Sequence, residues 1–152
     1  MNISSILNNR IITEFNSNSK EELINEMVNL LISDENVIDL EKVRAVVLER
    51  EKIMSTGIGN GFAIPHGKTN GVKEIVAVFA KLSKPIDFEA IDGKPVNLIF
   101  MMVGREDAVG DHIKMLSRIS RIISKDQVHA RLLGAETSED ILKIFEDEEN
   151  NL

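Results

Sequence analysis

A chain of 152 residues, 43% hydrophobic and 28% charged, fits one globular domain with a sizeable core. Its net charge of −7, with Lys and Arg scattered among acids, argues against a nucleic-acid partner, and six Phe without Trp or Tyr offer little for bases to stack on. The absence of cysteine excludes disulfides, thiolate zinc sites and cysteine nucleophiles, and no apolar run approaches the roughly 20 residues that cross a bilayer.

The start, Met1-Asn2-Ile3-Ser4-Ser5, has neither the basic beginning nor the long apolar segment of a signal peptide, so a cytoplasmic location is expected. Ser19-x-x-Glu22 has the form of a capping box ahead of Leu23, Met27, Leu30 and Leu31, which predicts a helix over about 20–33. Asp39 can cap a second helix with Val43, Val46, Val47 and Ile53 on one face. Phe62-Ala63-Ile64, Glu74–Leu82 and Val96–Val103 read as strands, the last preceded by a turn at Asp92-Gly93.

After Gly104 the period becomes helical, with His112, Leu116, Ile119 and Ile123 on one face and Met115 and Ile122 beside it. A shorter helix is expected over Gln127–Leu133. Thr137-x-x-Asp140 opens a last one carrying Ile141, Leu142, Ile144 and Phe145. The acidic end, Glu146–Asn150, is expected to be a solvated, fraying tail. Strands interleaved with helices predict a single-domain α/β sandwich over residues 5–149, a mixed β-sheet flanked by helices on both faces, with tails at 1–4 and 150–152.

The richest stretch chemically is Ser55-Thr56-Gly57-Ile58-Gly59-Asn60-Gly61-Phe62-Ala63-Ile64-Pro65-His66. Glycines let a backbone approach an anion, hydroxyls donate hydrogen bonds, and imidazole is a nucleophile at neutral pH. Together they suit a histidine that accepts a phosphoryl group, at a strand-to-loop exit made rigid by Pro65. The bland alternative is a turn histidine bonded to backbone.

Two nucleotide motifs fail. Gly57-Ile58-Gly59-Asn60-Gly61-Phe62 has Phe where the dinucleotide fingerprint needs its third glycine. Five residues separate Gly67-Lys68-Thr69 from Gly61 where a Walker A loop has four. The histidines at 66, 112 and 129 have no metal-ligand spacing, so no metal or other cofactor is expected.

His112 lies on an apolar face in the first turn of its helix, where burial and the positive helix end favour a neutral ring and a nearby anion. It reads otherwise as a partly buried histidine at the sheet edge. His129 reads as structural or surface. Arg50 is solvated charge by default, or else a guanidinium aimed at phosphate oxygens. Ser55 and Thr56 would then donate hydroxyls and Gly57 its amide; their alternative is an ordinary helix-ending turn.

Arg50-Glu51, Ser55-Thr56-Gly57-Ile58-Gly59 and Ala63-Ile64-Pro65-His66 resemble the signature of a family, the enzyme IIA domains of the fructose/mannitol class in the phosphoenolpyruvate-dependent sugar phosphotransferase system. The similarity runs on through Pro85-Ile86-Asp87-Phe88, Asp92-Gly93-Lys94-Pro95-Val96 and Asp111-His112-Ile113-Lys114-Met115-Leu116. The resemblance implies that His66 takes a phosphoryl group from phospho-HPr and passes it to an enzyme IIB. It also implies that His112 hydrogen-bonds that group, on Nε2 of His66, and that Arg50 offsets its charge with Ser55 or Thr56 assisting. No nucleotide or metal is implied.

Without a cysteine or a membrane span, the expected acceptor is a separate chain. Gly59-Asn60-Gly61, Pro65-His66-Gly67-Lys68 and Asp87–Asp92 are most similar to the nitrogen-regulatory kind, which acts on a regulatory target by charge state. Two readings from other classes stand beside it: a non-catalytic binding module of the same fold, and a metal-dependent hydrolase using His66 and His112.

Overall fold

The two most apolar stretches become the centre of the sheet, because each is buried on both faces. A computed structural model describes residues 2–8 and 10–152. In chain order the elements are α1 (Ile3–Leu7), β1 (Ile11–Phe15), α2 (Lys20–Asn29), α3 (Leu40–Ile53), β2 (Gly57–Gly59), β3 (Phe62–Ala63) and β4 (His66–Thr69). There follow β5 (Val76–Ile86), β6 (Val96–Arg105), α4 (Val109–Ile123), α5 (Asp126–Gly134) and α6 (Ser138–Asn150). The six strands form one mixed sheet in the order β1-β5-β6-β3-β2, with β4 also on β6. β5 and β6 are antiparallel, as are β2 and β3, whereas β1 runs parallel to β5 and both β3 and β4 run parallel to β6.

Alternation along the strands divides the core in two. Phe62, Ile64, Ala77, Phe79, Leu98, Phe100 and Met102 pack on one face under α1, α4, α5 and α6. Ala63, Val76, Val78, Ile99, Met101 and Val103 pack on the other, under α2 and α3. The result is the expected sandwich, with helices on both faces. Among the described residues Phe79, Phe100 and Phe145 meet edge-to-face at 5.4–6.4 Å between ring centroids, an aromatic knot in an otherwise aliphatic core.

The expected caps form. Ser19 accepts from the Glu22 amide, Asp39 from Glu41 and Lys42, and Thr137 from Asp140. Four expected features take a different form. The first expected helix stops at Asn29 and continues as turns, although Leu31 stays fully buried. Ile53 is 80% exposed, and it is Glu51 that continues the buried stripe of Val43 and Val47 at four-residue spacing.

Third, the acidic end does not fray: it is the last turn and a half of α6. There Glu148 is buried between Lys125 and Arg131, both at 2.9 Å, and Glu149 accepts from the Ile3 amide and from Arg118. Fourth, His66 opens a strand rather than leaving one. β3 and β4 keep one register along β6, Phe62 opposite Leu98 and His66 opposite Met102, and are interrupted only at Ile64-Pro65. Proline has no N–H for the ladder, although its carbonyl still accepts from the Met102 amide at 3.0 Å; the Ile64 amide, on the opposite edge, continues the β2 pairing by donating to the Thr56 carbonyl at 3.1 Å. α1 and β1, absent from the sequence reading, complete the edge of the sheet beside β5.

Candidate functional site

His66 shares its sheet face with Met102, the face covered by α4, so strand register carries it toward the first turn of that helix. His112 stands in that turn, 4% exposed, with its ring 5.9 Å from the His66 ring. Residues 46 positions apart in sequence thus form one pair.

The tautomer of each ring follows from what it touches. His66 Nδ1 lies 2.8 Å from the Ile64 carbonyl oxygen. A carbonyl can only accept, so Nδ1 carries the proton and Nε2 keeps its lone pair. His112 Nδ1 is buried without a partner, against Gly104, where an added Cβ would come within 2.7 Å of it. An orphaned buried lone pair costs less than an orphaned N–H, which favours the proton on Nε2 of His112. One ring is therefore left with a free lone pair on Nε2, the other with an N–H there to donate.

Both rings are held neutral at pH 7. Burial pushes His66 below the usual imidazole value; the Ile64 hydrogen bond and Glu51 oppose this, while Arg50 and Lys68 reinforce it. His112 is pushed down to about 4, by burial first and then by His66 and Lys68.

The remaining expected residues divide. Arg50 is near enough for its charge to act on His66, and its Nη1 donates to the Met54 carbonyl at 2.7 Å, which folds it over the end of α3. Ser55, Thr56 and Gly57 have their donors engaged inside the loop. Ser55 Oγ donates to the Phe88 carbonyl at 2.7 Å, and the Gly57 amide donates to Ser55 Oγ at 3.0 Å. Thr56 gives both its amide and its hydroxyl to Glu51, at 2.9 and 2.6 Å. Gly57 has a further reason to be glycine, since a Cβ would come within 2.8 Å of Ala90 Cβ.

His129 stands apart. It packs edge-on against Phe62 at 5.5 Å beside Gly61, five residues from His66 along the β6 edge. Among the described residues no cluster of three or more His, Asp or Glu could hold a metal, and no helix is long and apolar enough to cross a membrane.

Two residues escaped the sequence reading. Lys68 lies two residues after His66 and so on the same strand face; strand alternation would have revealed it had His66 been placed in a strand. Glu51 was visible as the next position of the Val43–Val47 stripe, but a carboxylate there reads as solvated until its partners are known.

Comparison with known proteins adds a family. Residues 5–148 match the model for "Phosphoenolpyruvate-dependent sugar phosphotransferase system, EIIA 2". The chain is 35% identical over 146 residues to the fructose-specific EIIABC component of Bacillus subtilis (strain 168); this covers 95% of the chain but 23% of that relative. A crystal structure of nitrogen regulatory protein IIA-Ntr from Neisseria meningitidis superposes with a TM-score of 0.88 at 35% identity, covering 94% of this chain and 98% of that one. The Escherichia coli enzyme IIA of the mannitol system, in complex with phosphorylated enzyme IIB, shares the fold at a TM-score of 0.78 and 20% identity, covering 91% and 94% of the two chains.

Proposed function

The chain belongs to the EIIA 2 family of the phosphoenolpyruvate-dependent sugar phosphotransferase system, and from that premise we propose that it is a phosphoryl carrier whose acceptor is Nε2 of His66. The observation that carries the reading is the hydrogen bond from His66 Nδ1 to the Ile64 carbonyl, which commits one ring nitrogen and leaves the other free to attack.

The donor is a phosphohistidine, that of phospho-HPr. The His66 Nε2 lone pair forms the new N–P bond as the donor's P–N bond breaks, and that bonding pair returns to the donor imidazole. The proton on His66 Nδ1 stays in place, shared with the Ile64 carbonyl, so the phosphorylated ring is an imidazolium; the donor ring, protonated on its other nitrogen, departs as a neutral imidazole. No proton needs to leave and no nucleotide is consumed.

Phosphoryl transfer depends on positioning and charge stabilisation. The Nε2–H of His112 donates to a phosphoryl oxygen, and Arg50 and Lys68 supply positive charge around it. Ser55, Thr56 and Gly57 shape the loop that presents these groups, because their donors are already engaged. The metal-dependent hydrolase has no observation in its favour among the described residues.

From His66 the group goes to an enzyme IIB, the kind of protein seen in complex with the mannitol IIA, or stays to switch an interface by roughly −1.5 to −2 charges. We favour the regulatory destination, on the residues after Gly59 and around Asp87–Asp92 that resemble nitrogen-regulatory members. The experiment is intact mass after incubation with phosphoenolpyruvate, enzyme I and HPr. A gain of about 80 Da, acid-labile and absent from His66→Ala, is expected. No gain, with the donor chain active on a control acceptor, favours the non-catalytic binding module. Chase of the labelled protein with enzyme IIB then separates the destinations: loss of label marks transport, retention marks regulation.

A further inference from the structure

Glu51 is 7% exposed on the buried stripe of α3, an unusual place for a carboxylate. Every partner it has is close. Lys20 Nζ pairs with Oε1 at 2.9 Å, the Thr56 amide donates to Oε1 at 2.9 Å, and the Thr56 hydroxyl donates to Oε2 at 2.6 Å. Lys20 is itself fixed, 4.9 Å over the Phe88 ring and 3.4 Å from the Phe88 carbonyl. A buried carboxylate is stable only when satisfied in this way, so the cluster behaves as one rigid unit joining α2, α3 and the loop.

Its grip extends along the backbone to the nucleophile. The Thr56 carbonyl accepts from the Ile64 amide at 3.1 Å, and the Ile64 carbonyl accepts from His66 Nδ1 at 2.8 Å. Two residues thus connect Glu51 to the imidazole of His66, each held by the one before: Thr56, then Ile64. The Ile64 carbonyl stays aimed because Thr56 holds the Ile64 amide on the edge of β3 that faces away from β6.

We propose that Glu51 is a positioning residue for phosphoryl transfer, which through Thr56 and Ile64 holds His66 with its proton on Nδ1 and its Nε2 open to attack. The inference rests on the carrier reading. Its electrostatic side agrees: Glu51 opposes the depression of His66 by burial and by Arg50, and so favours the imidazolium that phosphorylation creates.

The test reads the tautomer directly, by ¹⁵N chemical shifts of histidine-labelled protein near pH 7.5, beside the rate of phosphorylation by phospho-HPr. In the unaltered protein His66 is expected protonated on Nδ1. Glu51→Gln should give a mixture of tautomers and a rate about ten- to a hundredfold lower at unchanged KM for the donor, since geometry rather than docking is altered. Thr56→Val keeps the amide bond and loses only the hydroxyl, so a smaller change of both readouts in the same direction is expected. It decides the matter by those readouts if Glu51→Gln does not fold.

Wild-type shifts and rate in these variants would overturn the proposal, as would a slower rate with the tautomer intact. If the unaltered protein takes up no phosphoryl group, the carrier reading and the rate claim both fall. The ring-nitrogen shifts would still decide whether Glu51 sets the tautomer.

Discussion

Protonation of His112 should make the fold sensitive to mild acid. The ring is held down to about 4 in the folded chain, from an ordinary value near 6.5, first by burial. Above pH 6.5 the ring is neutral in both folded and unfolded chains, and its depression costs nothing. Between 6.5 and 4 the unfolded chain binds the proton and the folded chain does not, so stability falls as pH falls.

At about 1.4 kcal/mol per pH unit, the whole window is worth about 3 kcal/mol, a large part of a small domain's stability. The assay is urea unfolding of the unaltered protein and of His112→Gln at pH steps from 7.5 to 4. Gln is neutral throughout, so subtraction removes the carboxylates common to both and leaves His112 with its coupling to His66. The difference should be flat above pH 6.5 and shrink by about 3 kcal/mol toward pH 4. Parallel curves across that range would refute the reasoning, because they would mean that His112 titrates alike in both states.

Gly67→Ala should destabilise the fold by about 1–3 kcal/mol, read as a lower thermal midpoint: its Cβ would meet Val46 Cγ1 at 2.8 Å and the Val46 carbonyl carbon at 3.3 Å, wedging β4 from α3. Glu148→Ala removes the carboxylate that holds Lys125 and Arg131, at a cost of about 1.5–3 kcal/mol in urea unfolding; a loss below about 0.5 kcal/mol would return the acidic end to a solvated face.

How the site becomes legible differs from residue to residue. Pro65-His66 after a glycine-rich loop is a local signal, and it singles out His66 without any fold. His112 was visible as a histidine on an apolar helical face, but only the packing of α4 over the β4 edge brings the two rings to 5.9 Å. Ser55 and Thr56 carry the chemistry of phosphate donors in sequence. In the folded chain those donors face inward, to the Phe88 carbonyl and to Glu51, because the loop needs internal hydrogen bonds to hold its shape.

Glu146–Asn150 has the composition of a tail, yet α5 and α4 present Lys125, Arg131 and Arg118 to it. Opposite charges brought together by tertiary structure turn a fraying end into a docked turn.

Periodicity and caps alone determined the number and faces of the long helices, the two central strands and the layered architecture, since these depend on nearest-neighbour sterics and on which residues avoid water. They could not reach α1, too short for a period, or the continuous register of β3 and β4 along β6, which belongs to a strand some 36 residues away. Tautomers, the pairing of His66 with His112 and the burial of Glu51 were decided only by the fold. Each depends on which hydrogen-bond partner and how much water a side chain meets, and distant segments supply both.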